Sequence, residues 1–182
     1  MAIYTKRGDK GETELIFGRK KILKSDPRIS ILGTIDELNS HLGLVFSLLK
    51  DKEVKKILEE IQGTLFEISS EIAGGENRNF YLKGIKIKNL ERLIDRFSKN
   101  LPPLKNFIFP GGGQTAAEVH IARAVCRRLE RELFSINKLN PNIGAYFNRL
   151  SDFLFVLARF INQKEGISEK IWRVFRKKSF LL

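Results

Sequence analysis

Five stretches of this chain repeat apolar residues every three or four positions, and that period restricts the fold more than any other feature. Ile31, Ile35, Leu38, Leu42, Val45 and Leu49 mark a first helix over about 29–50. Val54, Ile57, Leu58, Ile61, Leu65, Ile68 and Ile72 mark a second over 53–73, stopped by Gly74-Gly75. A third, on Ile87, Leu90, Leu93, Ile94 and Phe97, ends before Pro102-Pro103. A fourth is expected near 114–137 after the glycine turn at 107–113. Asn140-Pro141-Asn142 breaks the chain, and a fifth spans 144–163 on Tyr146, Leu150, Phe153, Leu154, Leu157, Phe160 and Ile161. Residues 76–84 read as a polar loop, and no segment has a strand period. Each apolar stripe must bury itself on another, so the expected class is all-α, an antiparallel four- or five-helix bundle.

At 182 residues the chain is sized for one domain, 1–182. Residues 1–28 are expected as an ordered loop or short extended piece, 29–164 as the bundle, and 165–182 as a basic tail, helical at best, with Trp172 and the cluster Arg173, Arg176, Lys177 and Lys178. Lys and Arg outnumber Asp and Glu by 33 to 21, a formal net charge of +12. Such a field draws anions. Nucleic acid, an anionic membrane surface and a nucleotide triphosphate all qualify, as does a basic soluble surface with no charged partner. Cys126 is the only cysteine, which excludes an internal disulfide and a thiolate cluster. The N-terminal residues lack the apolar core of a signal peptide and no apolar run is long enough to cross a bilayer, so a cytoplasmic protein is expected.

Two helix faces and one loop carry candidate chemistry. On the fourth helix, Ile121, Val125, Leu129, Leu133 and Ile136 share the side expected to be core. His120, Arg123, Arg127, Glu130 and Arg131 share the opposite side. That ridge reads either as a solvated charged face or as an anion clamp, and its wealth of Arg over Lys suits bidentate phosphate or carboxylate. On the fifth helix, Asn148, Asp152, Phe155 and Arg159 form a polar stripe in which Phe155 calls for cover by a partner or ligand. The loop Thr5-Lys6-Arg7-Gly8-Asp9-Lys10-Gly11-Glu12-Thr13 can turn backbone N–H groups toward an anion, although it lacks the Gly-Lys-[Ser/Thr] ending of a Walker loop. With no Glu-x-x-His and only His41 and His120, a di-metal bundle is disfavoured, and no metal ligand is assigned to the protein. No helix-turn-helix or base-stacking signature accompanies the charge.

Four segments in register resemble the propanediol-utilisation type of ATP:cob(I)alamin adenosyltransferase. They are Tyr4-Thr-Lys-x-Gly-Asp-x-Gly-x-Thr13, Gly33-Thr-Ile-Asp-Glu-Leu-Asn-Ser40, Phe107-x-x-Pro-Gly-Gly112 leading to His120-x-Ala-Arg-x-x-Cys-Arg-Arg-x-Glu-Arg131, and Tyr146-x-Asn-Arg-Leu-Ser-Asp-x-Leu-Phe155. The likeness runs from residue 3 to about 163. It implies transfer of the 5′-deoxyadenosyl group of ATP to the cobalt of reduced cobalamin, with triphosphate released and Mg²⁺ accompanying it. Thr5, Lys6, Gly8, Asp9, Gly11 and Thr13 would wrap the ATP, with Lys24 reaching the phosphates. Arg127, Glu130, Arg131 and Asn148 would complete the site from the next subunit of a homotrimer, across an interface paired by Asp36 and Arg123. Phe107 would press on the lower corrin face and displace the axial ligand; Phe107, Asp36, Arg123 and Arg127 are the implied catalytic set. A reductase and a cobalamin-dependent enzyme are the implied partners, with no nucleic acid and no membrane. The rival reading is a basic helical nucleic-acid binder. Two positions depart from the family pattern: Lys21 stands where Arg is usual, and the extra glycine in Gly111-Gly112-Gly113 predicts a looser approach to the fourth helix.

Overall fold

The computed structural model describes residues 4, 6, 8–15, 21–74, 81–137 and 139–173. Strands β1 (Glu12–Glu14) and β2 (Lys21–Leu23) pair antiparallel, with Thr13 opposite Ile22. Five helices follow: α1 (Pro27–Leu48), α2 (Lys52–Ile72), α3 (Gly84–Ser98), α4 (Gln114–Glu132) and α5 (Pro141–Lys164). The hairpin is the short extended piece expected near the N-terminus; its three-residue strands are too brief to show a period of two.

Helix ends follow local chemistry. Proline opens α1 and α5, because its missing N–H is one that a helix start leaves unpaired anyway. Asn140-Pro141-Asn142 therefore begins α5 as well as interrupting the chain: the Asn140 side chain accepts from the Asn142 N–H at 3.0 Å. Asp26 caps α1 and takes three bonds from Arg28, whose side chain first and backbone second hold the carboxyl down at about 2. Helix α4 ends five residues before the expected 137, passing into a 3₁₀ turn at Leu133–Ser135. Gly74, with φ of +89°, closes α2 as expected.

The core is continuous. Helix α4 packs on both α5 and α1, with α2 against α1 and α3 against α5. Leu38, Leu42, Leu58, Leu65, Leu129, Phe147 and Phe153 are sealed inside it. Three expectations about faces fail. Ile121 is 48% exposed, because it lies on the edge of the α4 stripe. His120 and Arg159 are buried at 5% and 7%, each turned toward the seam where α4 and α5 meet the C-terminal segment. Arg159 tolerates burial because its charge is paired and its donors used: Nε and Nη2 donate to Glu169 at 2.6 and 3.2 Å, and Nη2 also donates to the Pro102 carbonyl at 2.7 Å.

The C-terminal segment is extended rather than helical through residue 173. It doubles back so that Ile171 bridges Ile108 in antiparallel fashion. The rest of the tail, with Arg176, Lys177 and Lys178, lies outside the described residues.

Candidate functional site

The N-terminal loop turns twice through the left-handed region, at Lys6 (φ +58°) and Gly11 (φ +81°). The Lys24 N–H donates to the Gly11 carbonyl at 2.9 Å, which folds β2 back over the loop. The Lys24 side chain passes close over Gly8: a Cβ there would lie 3.3 Å from Lys24 Nζ. The structure thus brings Gly8, Gly11 and Lys24 together, with Asp9 and Thr13 on the same turn and hairpin. Thr5 lies outside the described residues. Lys21, the substitute for the usual Arg, sits 3.6 Å from Glu12 on the exposed hairpin. Beneath the hairpin, Leu15 borders a groove of about 360 Å³ between α1 and α2, along with Asp36, Asn39 and the exposed Phe66.

A second group gathers on α4 and α5. Arg127 and Arg131 are exposed on successive turns, and Arg123 one turn earlier is partly covered. The Arg131 Nη1 group donates to the Arg127 carbonyl at 2.9 Å. Glu130 accepts from Asn148 Nδ2 at 2.9 Å, and Arg149 Nη1 donates to Asn148 Oδ1 at 2.7 Å. Glu130 and Asn148 line one end of a cleft of about 640 Å³ whose walls include Leu133, Phe134 and Ile136. Phe134 is 85% exposed, a large apolar ring left largely uncovered by the described residues. Burial, and then the neighbouring charge of Arg127, lower the pKa of Arg123, and its buried Nε has no partner among the described residues. Burial, and then Arg123, hold His120 down at about 4, against a small pull from Glu169. His120 is therefore a neutral imidazole at pH 7, and neither ring nitrogen has a partner among the described residues.

No hydrogen bond or ion pair joins the loop to the arginine ridge among the described residues, and Asp36 makes no contact of that kind with Arg123. The α1–α4 seam is tied by other residues: Glu37 pairs with Arg128, His41 with Glu118, and Thr34 donates to Glu132 at 2.7 Å.

The third feature is the turn before α4. Phe107 stands 78% exposed at its start. Asn162 of α5 reaches across to the turn, donating to the Gly111 carbonyl at 2.9 Å and accepting from the Gly113 N–H at 3.0 Å. Gly112 has φ of +118°, and a Cβ there would lie 2.1 Å from Asn162 Oδ1. Gly113, the extra glycine, is close-packed as well: a Cβ on it would lie 2.2 Å from Glu165 Oε2 and 2.9 Å from Ile167 Cδ1, so the turn sits tightly against the segment after α5, where a looser approach was expected. Sequence reasoning missed Asn162 and Glu169, gave Trp172 no role, and placed Arg159 on an outward polar stripe; all four hold this turn or the segment beside it. The only available signal was two polar residues, Arg159 and Asn162, within the apolar run of α5.

A family model described as cobalamin adenosyltransferase matches residues 3–161. The corrinoid adenosyltransferase MMAB of Mus musculus is 39% identical over 183 residues, covering 94% of this chain and 77% of that protein. The corrinoid adenosyltransferase of Bacillus subtilis (strain 168) is 38% identical over 177 residues, covering 93% and 91%. A solved phenylalanine-to-alanine variant of a PduO-type ATP:corrinoid adenosyltransferase from Lactobacillus reuteri, complexed with cobalamin and ATP, superposes with a TM-score of 0.87. It is 36% identical, covering 94% of this chain and 99% of that one. An arginine-to-lysine variant from the same organism, complexed with ATP, gives 0.86 at 37% identity, covering 94% and 100%. The polynucleotide reading finds no support among these relatives.

Proposed function

The chain belongs to the cobalamin adenosyltransferase family, and from that membership we propose how its separate half-sites share one reaction. The enzyme transfers the 5′-deoxyadenosyl group of ATP to the cobalt of reduced cobalamin. The Co(I) electron pair forms the Co–C5′ bond, the C5′–O bond breaks, and triphosphate departs with the bonding pair. No proton changes hands at the reacting atoms, so the neutral His120 is not required as a general base.

The observation that carries the composite site is the separation of the two cationic groups. Lys24 lies over Gly8, whereas Arg127 and Arg131 stand exposed on α4 with no protein carboxylate paired to them among the described residues. In the proposed homotrimer, the loop of one subunit (Thr5, Lys6, Gly8, Asp9, Gly11, Thr13 and Lys24) meets Arg127, Glu130, Arg131 and Asn148 of the next. Asp36 and Arg123 pair across that junction. Exposed Phe66 and Phe134 would find cover there. Preorganised arginine forks stabilise the charge that develops on the leaving triphosphate. Phe107 presses on the corrin face opposite the incoming carbon and keeps an axial ligand off cobalt, which eases reduction to Co(I).

Mg²⁺ is the expected companion of the triphosphate. Among the described residues no three His, Cys, Asp or Glu side chains converge to hold a metal. None of the described helices is long and apolar enough to cross a membrane. A cytoplasmic site of action, one working unit over 1–182, and service to a reductase and a cobalamin-dependent enzyme complete the proposal.

Subunit mixing tests the shared site. Lys24→Ala and Arg127→Ala are each expected to be nearly inactive alone. Co-expressed in equal amounts, they place an intact loop against an intact ridge at about one quarter of the interfaces of a closed ring. Activity should return to roughly that fraction of wild type. No recovery, with mixed oligomers demonstrated, would mean that loop and ridge act within one chain.

A further inference from the structure

The segment after α5 falls outside the motifs that identify the family, yet it is built into the Phe107 turn. The Phe109 N–H donates to the Lys170 carbonyl and the Trp172 N–H to the Phe107 carbonyl, both at 2.8 Å. The Ile108–Ile171 bridge lies between them. Three consecutive residues of the turn are thereby laced to three of the C-terminal segment. That segment is itself anchored: Glu169 is clamped by the buried Arg159, and the Ile167 N–H donates to the Asn162 carbonyl at 2.8 Å. Asn162 in turn grips Gly111 and Gly113. Both sides of the ladder hang from α5.

The ladder sets two aromatic rings side by side. Phe107 and Trp172 lie 6.3 Å apart, edge to face at 73°. They are 78% and 45% exposed, so the pair is an apolar projection rather than core. A lone phenylalanine at the tip of a turn samples several rotamers, and each that swings away from cobalt readmits a ligand or water. An edge-to-face neighbour and a backbone bond to its own carbonyl restrict that freedom.

We propose that Trp172 is a positioning residue for Phe107, holding the ring in the attitude that keeps cobalt free of a lower ligand. The C-terminal segment is thus part of the corrin site. This rests on the adenosyltransferase reading. The step it governs is the loss of the axial ligand from Co(II)cobalamin before reduction; alkylation itself does not involve Trp172.

The test uses the full-length oligomer with ATP and Co(II)cobalamin, reading the spectroscopic signature of ligand-free, four-coordinate Co(II). Turnover is measured in parallel from Co(II) with a reductant and from pre-reduced Co(I). For Trp172→Ala, the four-coordinate fraction and the ratio of Co(II)-started to Co(I)-started turnover should both fall about threefold to tenfold. The KM for ATP should stay within about twofold, since mass-action binding of ATP does not involve this ring. Trp172→Phe should restore most of the signature. Should Trp172→Ala lower the melting temperature by more than a few degrees, Trp172→Leu carries the same comparison. A wild-type signature and ratio in both the Ala and Leu variants would overturn the proposal. So would equal loss along both routes with a raised KM for ATP, which is the mark of general disruption. Wild-type protein that gives no four-coordinate signature with ATP would overturn the adenosyltransferase reading and this inference with it.

Discussion

Arg127→Ala is expected to lower kcat for adenosyl transfer by on the order of 100- to 1000-fold while leaving fold and assembly intact, the usual cost of removing one preorganised donor from a developing charge. Arg127 is exposed on the outer face of α4, and its guanidinium has no hydrogen-bond or ion-pair partner among the described residues. Truncating it leaves no buried group orphaned, so stability should change little. The residues that tie α4 to α1 are different ones, Arg128 and Glu132. Arg127→Lys keeps the charge and loses the fork, so it should fall between wild type and Ala. Steady-state kcat and KM for ATP, measured beside a melting curve, decide the matter. A wild-type rate for Arg127→Ala would mean that the ridge is only a solvated face.

Phe107→Ala is expected to divide the two starting points of the reaction. A phenyl ring buried against an apolar partner is worth about 1.5–3 kcal/mol, or about 10- to 100-fold in rate where that contact is used. In the proposed wedge role the contact is used when an axial ligand must be kept from Co(II). It matters less once Co(I) is in hand. Turnover from Co(II) should therefore fall by that factor, with a distinctly smaller loss from chemically pre-reduced Co(I). Because Phe107 is 78% exposed, its removal opens no core cavity, and a lowered melting temperature is not the expected cause of the loss. Equal losses in both assays would sink the wedge role.

The helices were legible because each buries one continuous stripe, and a stripe of 20 or so residues survives errors of a residue or two at its ends. The Arg127–Arg131 ridge was legible for the same reason, since spacing along one helix sets which groups share a face; the Asn148–Glu130 contact was not, because it depends on how two helices face each other. His120 and Arg159 were misplaced because burial there depends on residues far away in the chain. Arg159 is inside only because Glu169 and the Pro102 carbonyl satisfy it. Ile121 is outside because each step of four residues rotates a little past a full turn, which carries it to the edge of the stripe that Leu129 and Leu133 bury. The hairpin and the Ile108–Ile171 bridge escaped notice because backbone pairing over one to three residues leaves no periodic trace. The proposed composite site has the same character, since a junction between copies would appear in one chain only as a loop and a ridge that do not meet.

The most direct measurement is an anaerobic assay of the purified protein with ATP, Mg²⁺ and chemically reduced cobalamin, following the visible spectrum for a light-sensitive cobalt–carbon product and the solution for released triphosphate. The account predicts both products in equal amounts, formed only when protein and ATP are present together. A folded, oligomeric protein that yields neither would contradict it.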